Sequence, residues 1–307
     1  MRHGTAEKLR TLGLDPAVVE RIVRGALEED LGGPDGVDIT SAATIPADLA
    51  GTAEVVARAD GVVAGLPVAA AVFELVGDDL AARGVSDGAV SDVQFRSEVA
   101  EGAQVRRGQV LASVTGPVRA LLTAERTALN LLCRMSGVAT HTRRWVDELT
   151  GTGARVLDTR KTTPGLRALE KYAVRAGGGT NKRMGLYDVA MIKDNHKIAA
   201  GGVAEAYRRV RRDFPDVEIQ VEVTSVAEAR EAVAAGASFL LCDNMEPDQL
   251  RAVVEAVGDQ AELEATGGLT LQRAREYALT GVNYLSVGGL THSSPILDIA
   301  LDLRTRK

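Results

Sequence analysis

Aromatic residues are scarce in this 307-residue chain, only 3% of it, with one Trp, five Tyr and four Phe. Surfaces that stack bases or sugar rings are therefore not expected, and a core must be built from Ala, Val, Leu and Ile. Cysteine is nearly absent. Cys133 and Cys242 lie 109 positions apart, each in an apolar stretch, which excludes a disulfide scaffold and zinc-type spacing and points to two small buried thiols in a reducing compartment. Long hydrophobic runs are missing too: the longest uncharged one, Gly61–Phe73, is too short to span a bilayer and contains Pro67. The opening carries Glu7, Lys8, Arg10, Glu20 and Arg21 in a helical pattern instead of the apolar core of a signal peptide, so a cytoplasmic protein without a membrane partner is expected. Positive charge is in deficit, with 36 Lys and Arg against 42 Asp and Glu, a net charge of −6. That balance argues against nucleic acid as a partner.

Apolar residues at 45% and charged residues at 25% are ordinary for a globular protein. Two textures divide the chain. Between about residues 48 and 118, short β-like runs alternate with Gly turns, which predicts a small sheet domain, preceded by helices (AVVERIVRGALEEDL) that pack on its sheet. The segment EVAEGAQVRRGQVLASV has the rhythm of a biotinyl- or lipoyl-carrier fold, but it has no Lys at a hairpin tip. A long helix over Thr123–Thr150 links this region to the next.

From about residue 155 apolar runs alternate with helical patterns: Arg155–Arg160, Val189–Asp194, Val217–Val223, Ser238–Asn244, Ala261–Thr266 and Asn283–Gly289. Ser225, Glu246/Pro247 and Thr270 read as helix starts, and Gly236, Gly258 and Gly281 as stops. Strands separated by crossover helices pair in parallel. Six closely spaced units without a G-x-G-x-x-G turn after the first strand favour a barrel or partial barrel over a doubly wound sheet.

In such folds the chemistry lies at the carboxyl ends of the strands. Here those ends carry Asp158-Thr159-Arg160-Lys161, Lys193-Asp194-Asn195-His196, Glu222, Asp243-Asn244, Thr266-Gly267-Gly268 and Gly288-Gly289. Lys182 and Arg183 lie in the Gly-rich loop before the second strand. Between Arg155 and Lys197 there are ten Lys and Arg against four Asp and Glu, so the remainder of the chain sums to −12. A cationic concentration within an acidic protein implies a local anionic ligand. Some of it reads as structural: Arg167, Lys171 and Arg175 share a helix face that is expected to be solvated. Glu222 and Asp243 could pair with the lysines or serve Mg²⁺, which takes one or two carboxylates and lets substrate phosphates complete its shell. The glycine pairs suit a backbone cup for phosphate. A magnesium-assisted reaction of a phosphorylated substrate with a carboxylate partner accounts for the set.

The stretches LLTAERTALNLLCRMSGVAT, DTRKTTPGLRALEKYAVRAGGG, IKDNH, EVT, LLCDNM, EATGGLT and VGGLTHSSPILDI together resemble the quinolinate phosphoribosyltransferase family (nicotinate-nucleotide pyrophosphorylase, carboxylating). The resemblance runs from about residue 18 to 304. It implies an α/β protein: an open α/β sandwich domain over 1–122, completed by 291–307, and a linking helix with a partial parallel α/β barrel over 123–290. It implies transfer of a phosphoribosyl group from phosphoribosyl pyrophosphate to quinolinate with Mg²⁺, yielding nicotinate mononucleotide, pyrophosphate and CO₂ for NAD biosynthesis. A homodimer or higher homo-oligomer with a shared active site is also implied, Arg126 reaching a neighbour's site.

By the same likeness, Thr159, Arg160, Lys161, Lys182, Arg183 and Lys193 address quinolinate's carboxylates and nearby charge. Glu222 and Asp243 address metal and ribose, and Thr266, Gly267, Gly268, Gly288, Gly289 and His292 hold the 5-phosphate region. Lys161, Lys193, Glu222 and Asp243 would form the catalytic set. Arg126, in the first turn of a helix begun at Thr123, would be a poor match to the macrodipole unless an anion were near. One position departs from the pattern: Lys182 stands where the family usually has His, which removes a planar ring that titrates near neutral pH. Two other readings remain at this level: a Schiff-base aldolase-type barrel using Lys161 or Lys193, and a family relative that binds an oxyanion in a regulatory role.

Overall fold

A computed structural model describes residues 1–84 and 92–304, and the chain gathers into two compact units. The first comprises Met1–His141, Thr163–Gly177 and Ser294–Lys307, the second Thr142–Thr162 and Gly178–Ser293.

The strands in chain order are β1 (Ala50–Ala57), β2 (Gly61–Val62), β3 (Gln94–Ser97), β4 (Gln104–Val105), β5 (Val110–Pro117), β6 (Arg155–Leu157), β7 (Val189–Ile192), β8 (Glu218–Val223), β9 (Phe239–Asp243), β10 (Glu262–Thr266), β11 (Tyr284–Ser286) and β12 (Ile299–Arg304).

In the first unit β12, β1, β5 and β3 form an antiparallel sheet in that order, with β2 and β4 pairing apart from it. A helix over Leu66–Ala82, buried along most of its length, lies against β3 and β5. Its sequence is apolar on nearly every side, so it shows no amphipathic period, and only the structure distinguishes it from the β-like runs around it. The opening helices His3–Thr11 and Pro16–Leu31 pack on this helix, whereas the sequence pointed to the sheet itself. Two carboxylates are satisfied here, Glu101 half-buried and Glu170 fully buried. Glu101 accepts from the Gly65 and Leu66 amides at the start of that helix and from the Tyr172 hydroxyl. Glu170 accepts from Arg134 and from the Thr163 amide and hydroxyl. On the helix Arg167–Ala176, Lys171 is only 1% exposed. The solvated face expected for Arg167, Lys171 and Arg175 is thus corrected at Lys171, while Arg175 is exposed and Arg167 half-buried: helical spacing places the three in line, but whether each meets water depends on what packs against it.

The second unit contains six parallel strands in the order β6-β11-β10-β9-β8-β7. Sequential strands are neighbours and the last, β11, returns to the first, β6. This is the cyclic order of an α/β barrel left open between β6 and β7, a partial barrel. Directly paired residues in parallel strands share a face, so the register sorts the side chains. One row, Val156, Leu285, Ala265, Cys242 and Val223, is wholly buried and apolar. The next row, on the opposite face, is Arg155, Tyr284, Glu264, Leu241 and Glu222, with Lys193 one position past β7 opposite Glu222. This polar face is the concave one. Leu157 of β6 clusters with Phe239 and Leu241 of β9, and the Phe239 ring stacks on Tyr284 at 5.6 Å across the intervening β10. Strands that far apart in a sheet touch only when it curls.

Candidate active site

The carboxyl ends of the six strands converge because the strands are parallel and their sheet is curved. After β6 the chain turns through Thr159, whose hydroxyl accepts from the Lys161 amide at 3.1 Å. Lys161 itself is exposed, and its carbonyl accepts from the Thr291 hydroxyl at 2.8 Å. Gly288, at the end of the neighbouring β11, has an ordinary helical φ of −64°. Its lack of a side chain matters for space: a Cβ there would sit 3.0 Å from Lys161 Cδ and 3.2 Å from His292 Nε2. His292 is exposed and its Nδ1 lies 2.6 Å from Ser293 Oγ.

Glu222 and Asp243 lie on adjacent strands. Glu222 pairs in register with Leu241, two residues before Asp243, so both carboxylates stand on the concave face, Asp243 nearer the rim. Asp243 is opposite Thr266 and accepts from Asn244 Nδ2 at 2.8 Å. Gly267 and Gly268 both have left-handed backbones, φ 91° and 62°, which favours glycine at each. A Cβ on Gly267 would also run into the Asn244 side chain.

Lys193 reaches Glu222 with its ammonium 3.2 Å from Oε2, and its side chain remains 52% exposed. His196 caps the helix Asp194–Ala200 by accepting from the Lys193 amide at 2.9 Å. Lys197, buried, donates to the Glu222 carbonyl at 3.1 Å and to Glu228 and Asp194. Those acids hold its ammonium above the ordinary lysine range although burial opposes them.

The loop between β6 and β7 carries the remaining cations. Thr180 bridges Leu157 as a parallel partner. Buried Asp158 then accepts from Asn181 Nδ2 at 2.6 Å and from the Lys182 amide at 2.8 Å. Arg183 donates to the Val189 carbonyl at 2.9 Å. Burial lowers the Arg183 pKa and the Arg160 charge lowers it further, against the opposing effect of Asp188. Lys182 is likewise pushed down by burial, with Glu264 working against that shift and Arg183 and Lys193 adding to it. These mutual repulsions are the electrostatic sign that Arg160, Lys182, Arg183 and Lys193 crowd one region. A cluster of like charges is stable only with counter-charge, and an anionic ligand is what such a region binds best.

The N-terminal domain of the family described as quinolinate phosphoribosyl transferase matches residues 38–136, and its C-terminal domain matches residues 138–302. This chain belongs to the quinolinate phosphoribosyltransferase family. It is 47% identical over 284 residues to a nicotinate-nucleotide pyrophosphorylase (carboxylating) of Mycobacterium leprae, covering 92% of this chain and 95% of that one. Two solved structures are similar throughout. NadC from Streptococcus pyogenes is 34% identical with a TM-score of 0.87, covering 96% of this chain and 99% of that one. A nicotinate-nucleotide pyrophosphorylase from Francisella tularensis is 32% identical with a TM-score of 0.85, covering 94% and 96%.

In this phosphoribosyltransferase family member, Thr159, Arg160, Lys161, Lys182, Arg183, Lys193, Glu222, Asp243, Thr266, Gly267, Gly268, Gly288, Gly289 and His292 all belong to the second unit. Arg126 belongs to the first, exposed on a helix that runs over Val118–Glu148. The helix therefore begins five residues before the Thr123 start read from sequence. Arg126 is its ninth residue, beyond the reach of the terminal dipole, so the first-turn rationale for Arg126 fails. Sequence reading assigned no role to Glu264 or Lys197, and Asp158, named only as part of a strand end, holds the Asn181–Lys182 segment. A Glu inside the strand ELEAT, on the inward parity with Leu241 and Glu222, was the available signal for the first.

For Mg²⁺ the fit is partial. Among the described residues no three His, Cys, Asp or Glu side chains cluster as a ready metal cage, and Glu222 already faces the Lys193 ammonium. Two carboxylates on one face do match a Mg²⁺ whose other ligands come from a phosphorylated substrate and water.

Proposed function

We infer that this protein transfers the phosphoribosyl group of phosphoribosyl pyrophosphate to quinolinate and releases CO₂, giving nicotinate mononucleotide for NAD biosynthesis. The observation that carries this reading is that Lys193, Glu222 and Asp243 share the concave face at the carboxyl ends of neighbouring barrel strands in a member of this family, with Arg160 close enough to Arg183 to lower its pKa. A planar guanidinium grips a carboxylate in a bidentate fashion and lysine adds a point charge, so this rim suits a pyridine with two carboxylates.

The ring nitrogen attacks the ribose anomeric carbon as its bond to pyrophosphate oxygen breaks. Positive charge grows on the sugar, and Glu222 and Asp243, fixed on adjacent strands, stabilise it without reorganising. Backbone at Gly267, Gly268, Gly288 and Gly289, beside Thr266 and His292, suits the 5-phosphate. Mg²⁺, when held by Asp243 and Glu222 with substrate oxygens, would neutralise charge on the departing pyrophosphate. The carboxylate beside the now cationic nitrogen then leaves as CO₂, its bonding pair remaining on the ring carbon until a proton replaces it. Orientation and field suffice for this step, and no lysine Schiff base is required.

The protein would work as a homodimer or higher homo-oligomer, with the exposed Arg126 offered to a neighbour's site. A reducing cytoplasm suits its two buried free thiols; burial raises the pKa of Cys133, and burial with the Glu264 charge raises that of Cys242 to about 12. The test is incubation with phosphoribosyl pyrophosphate, Mg²⁺ and either quinolinate or nicotinate, following CO₂ and the mononucleotide. Quinolinate-dependent release of both products is expected, abolished in a folded Arg160→Ala variant. Near-normal turnover in that variant would remove the site assignment.

A further inference from the structure

The Lys182 ammonium lies 2.6 and 2.5 Å from the two carboxylate oxygens of Glu264. The lysine side chain is 7% exposed and the glutamate 0%. Glu264 sits in the middle of β10, and Lys182 extends from the loop that bridges β6 to β7. The pair therefore spans the concave face from the open side of the barrel to a strand near its centre. Along the loop the fastenings follow in order: Thr180 on β6, Asn181 and the Lys182 amide on Asp158, the Lys182 ammonium on Glu264, and Arg183 on the Val189 carbonyl. Successive residues cannot both be aimed freely, so with Lys182 drawn inward to Glu264 the direction of Arg183 is set.

We propose that Lys182 and Glu264 form a buried, electrically neutral lock that fixes the 178–188 loop across the open side of the barrel, making Glu264 a positioning residue for the cation Arg183. The charge of Lys182 is then spent on Glu264, and the anionic acceptor is held by Arg160, Arg183 and Lys193. This rests on the quinolinate reading above for the identity of the acceptor, while the lock itself does not depend on it. Both partners lie in a water-poor interior, where breaking one partner of an ion pair leaves an uncompensated charge, while replacing both by apolar side chains of similar volume is tolerated.

The experiment is a double-variant cycle on the full-length protein: Lys182→Met, Glu264→Met and Lys182→Met/Glu264→Met, each measured for Tm and for KM of quinolinate and of phosphoribosyl pyrophosphate separately. Each single variant is expected to melt lower and to raise KM for quinolinate at least tenfold. The double variant should recover most of both, to within about threefold of the parent KM. A double variant with restored Tm but an undiminished tenfold KM defect would show that the ammonium binds the acceptor directly and would overturn the lock.

Amine labelling of the unaltered protein gives a second arm independent of variant folding. Lys182 should resist acylation with or without quinolinate, whereas Lys193 should react in the free protein and be protected by substrates. Substrate-dependent protection of a reactive Lys182 would overturn the proposal. Absence of any quinolinate turnover in the parent would refute the functional reading, yet leave the Tm cycle and the labelling of Lys182 to judge the lock.

Discussion

Two lysine–glutamate pairs stand on the same concave face, and they are built to opposite ends. Glu264 and Glu222 occupy the same register row, two strands apart. Lys182 meets the first with both carboxylate oxygens in an interior closed to water, whereas Lys193 meets the second through one longer contact and stays half in solvent. The closed pair is shielded from a ligand by its burial. The open pair can exchange its partner for one, because half-solvated Lys193 loses little when its single contact breaks and its ammonium keeps hydrogens to donate. Exposure of the lysine, 7% in the closed pair and 52% in the open one, separates framework from reagent more than residue type does.

The largest expected effect breaks the closed pair. Glu264→Gln leaves a buried ammonium without its counter-charge and should destabilise the protein by about 3–5 kcal/mol, read by denaturant unfolding. Next comes the open pair. Lys193→Ala should lower turnover about 10²- to 10³-fold, as loss of one preorganised charged group does, in steady-state assays of CO₂ release. Its unfolding free energy should stay within about 1 kcal/mol of the parent, because a part-exposed bridge is worth little. Equal stability losses in the two variants would erase the distinction between the pairs.

Glu222→Gln sharpens it further. Stability should again change by no more than about 1 kcal/mol, while the Mg²⁺ concentration needed for half-maximal activity rises. An unchanged Mg²⁺ requirement would remove Glu222 from the metal's surroundings.

The smallest effect concerns the network behind the open pair. Burial tends to raise the Glu228 pKa, but hydrogen bonds from Thr224 and Lys197 outweigh it and hold the carboxyl below its ordinary 4.5. A depressed carboxyl stabilises the fold above its unfolded pKa and loses that contribution as pH falls through the folded one. The Tm gap between the parent and Glu228→Gln should therefore be small at pH 6 and close as the pH drops below 4.5. A gap that widens in acid would contradict this sign.

Much of this arrangement could be read from sequence because it is local. Each barrel strand lies within a residue or a few of its expected run: Glu218–Val223 against Val217–Val223, and Phe239–Asp243 against Ser238–Asn244. Ser225 does cap its helix, accepting from the Glu228 amide at 3.2 Å, and Glu246 caps the helix Pro247–Val257. The rim residues could be identified because a parallel barrel gathers its strand ends wherever the side chains point. The partner of Lys182 could not, since residues 182 and 264 meet only once the sheet has curled. Buried Lys171 and the early start of the Val118–Glu148 helix were hidden for the same reason: periodicity ranks the faces of a helix but does not say which neighbour covers them.

The last described strand, Ile299–Arg304, forms the outer edge of the first unit's sheet, with Arg304 bound to Glu54 some 250 positions earlier. On the ribosome β1 must wait for that cover while the entire barrel is synthesised, roughly ten to fifty seconds at ordinary elongation rates. For that interval a strand with a bare hydrogen-bonding edge is open to the wrong neighbour. Slowed translation or a shortened tail should therefore show first as inclusion bodies, before any loss of specific activity in the molecules that mature.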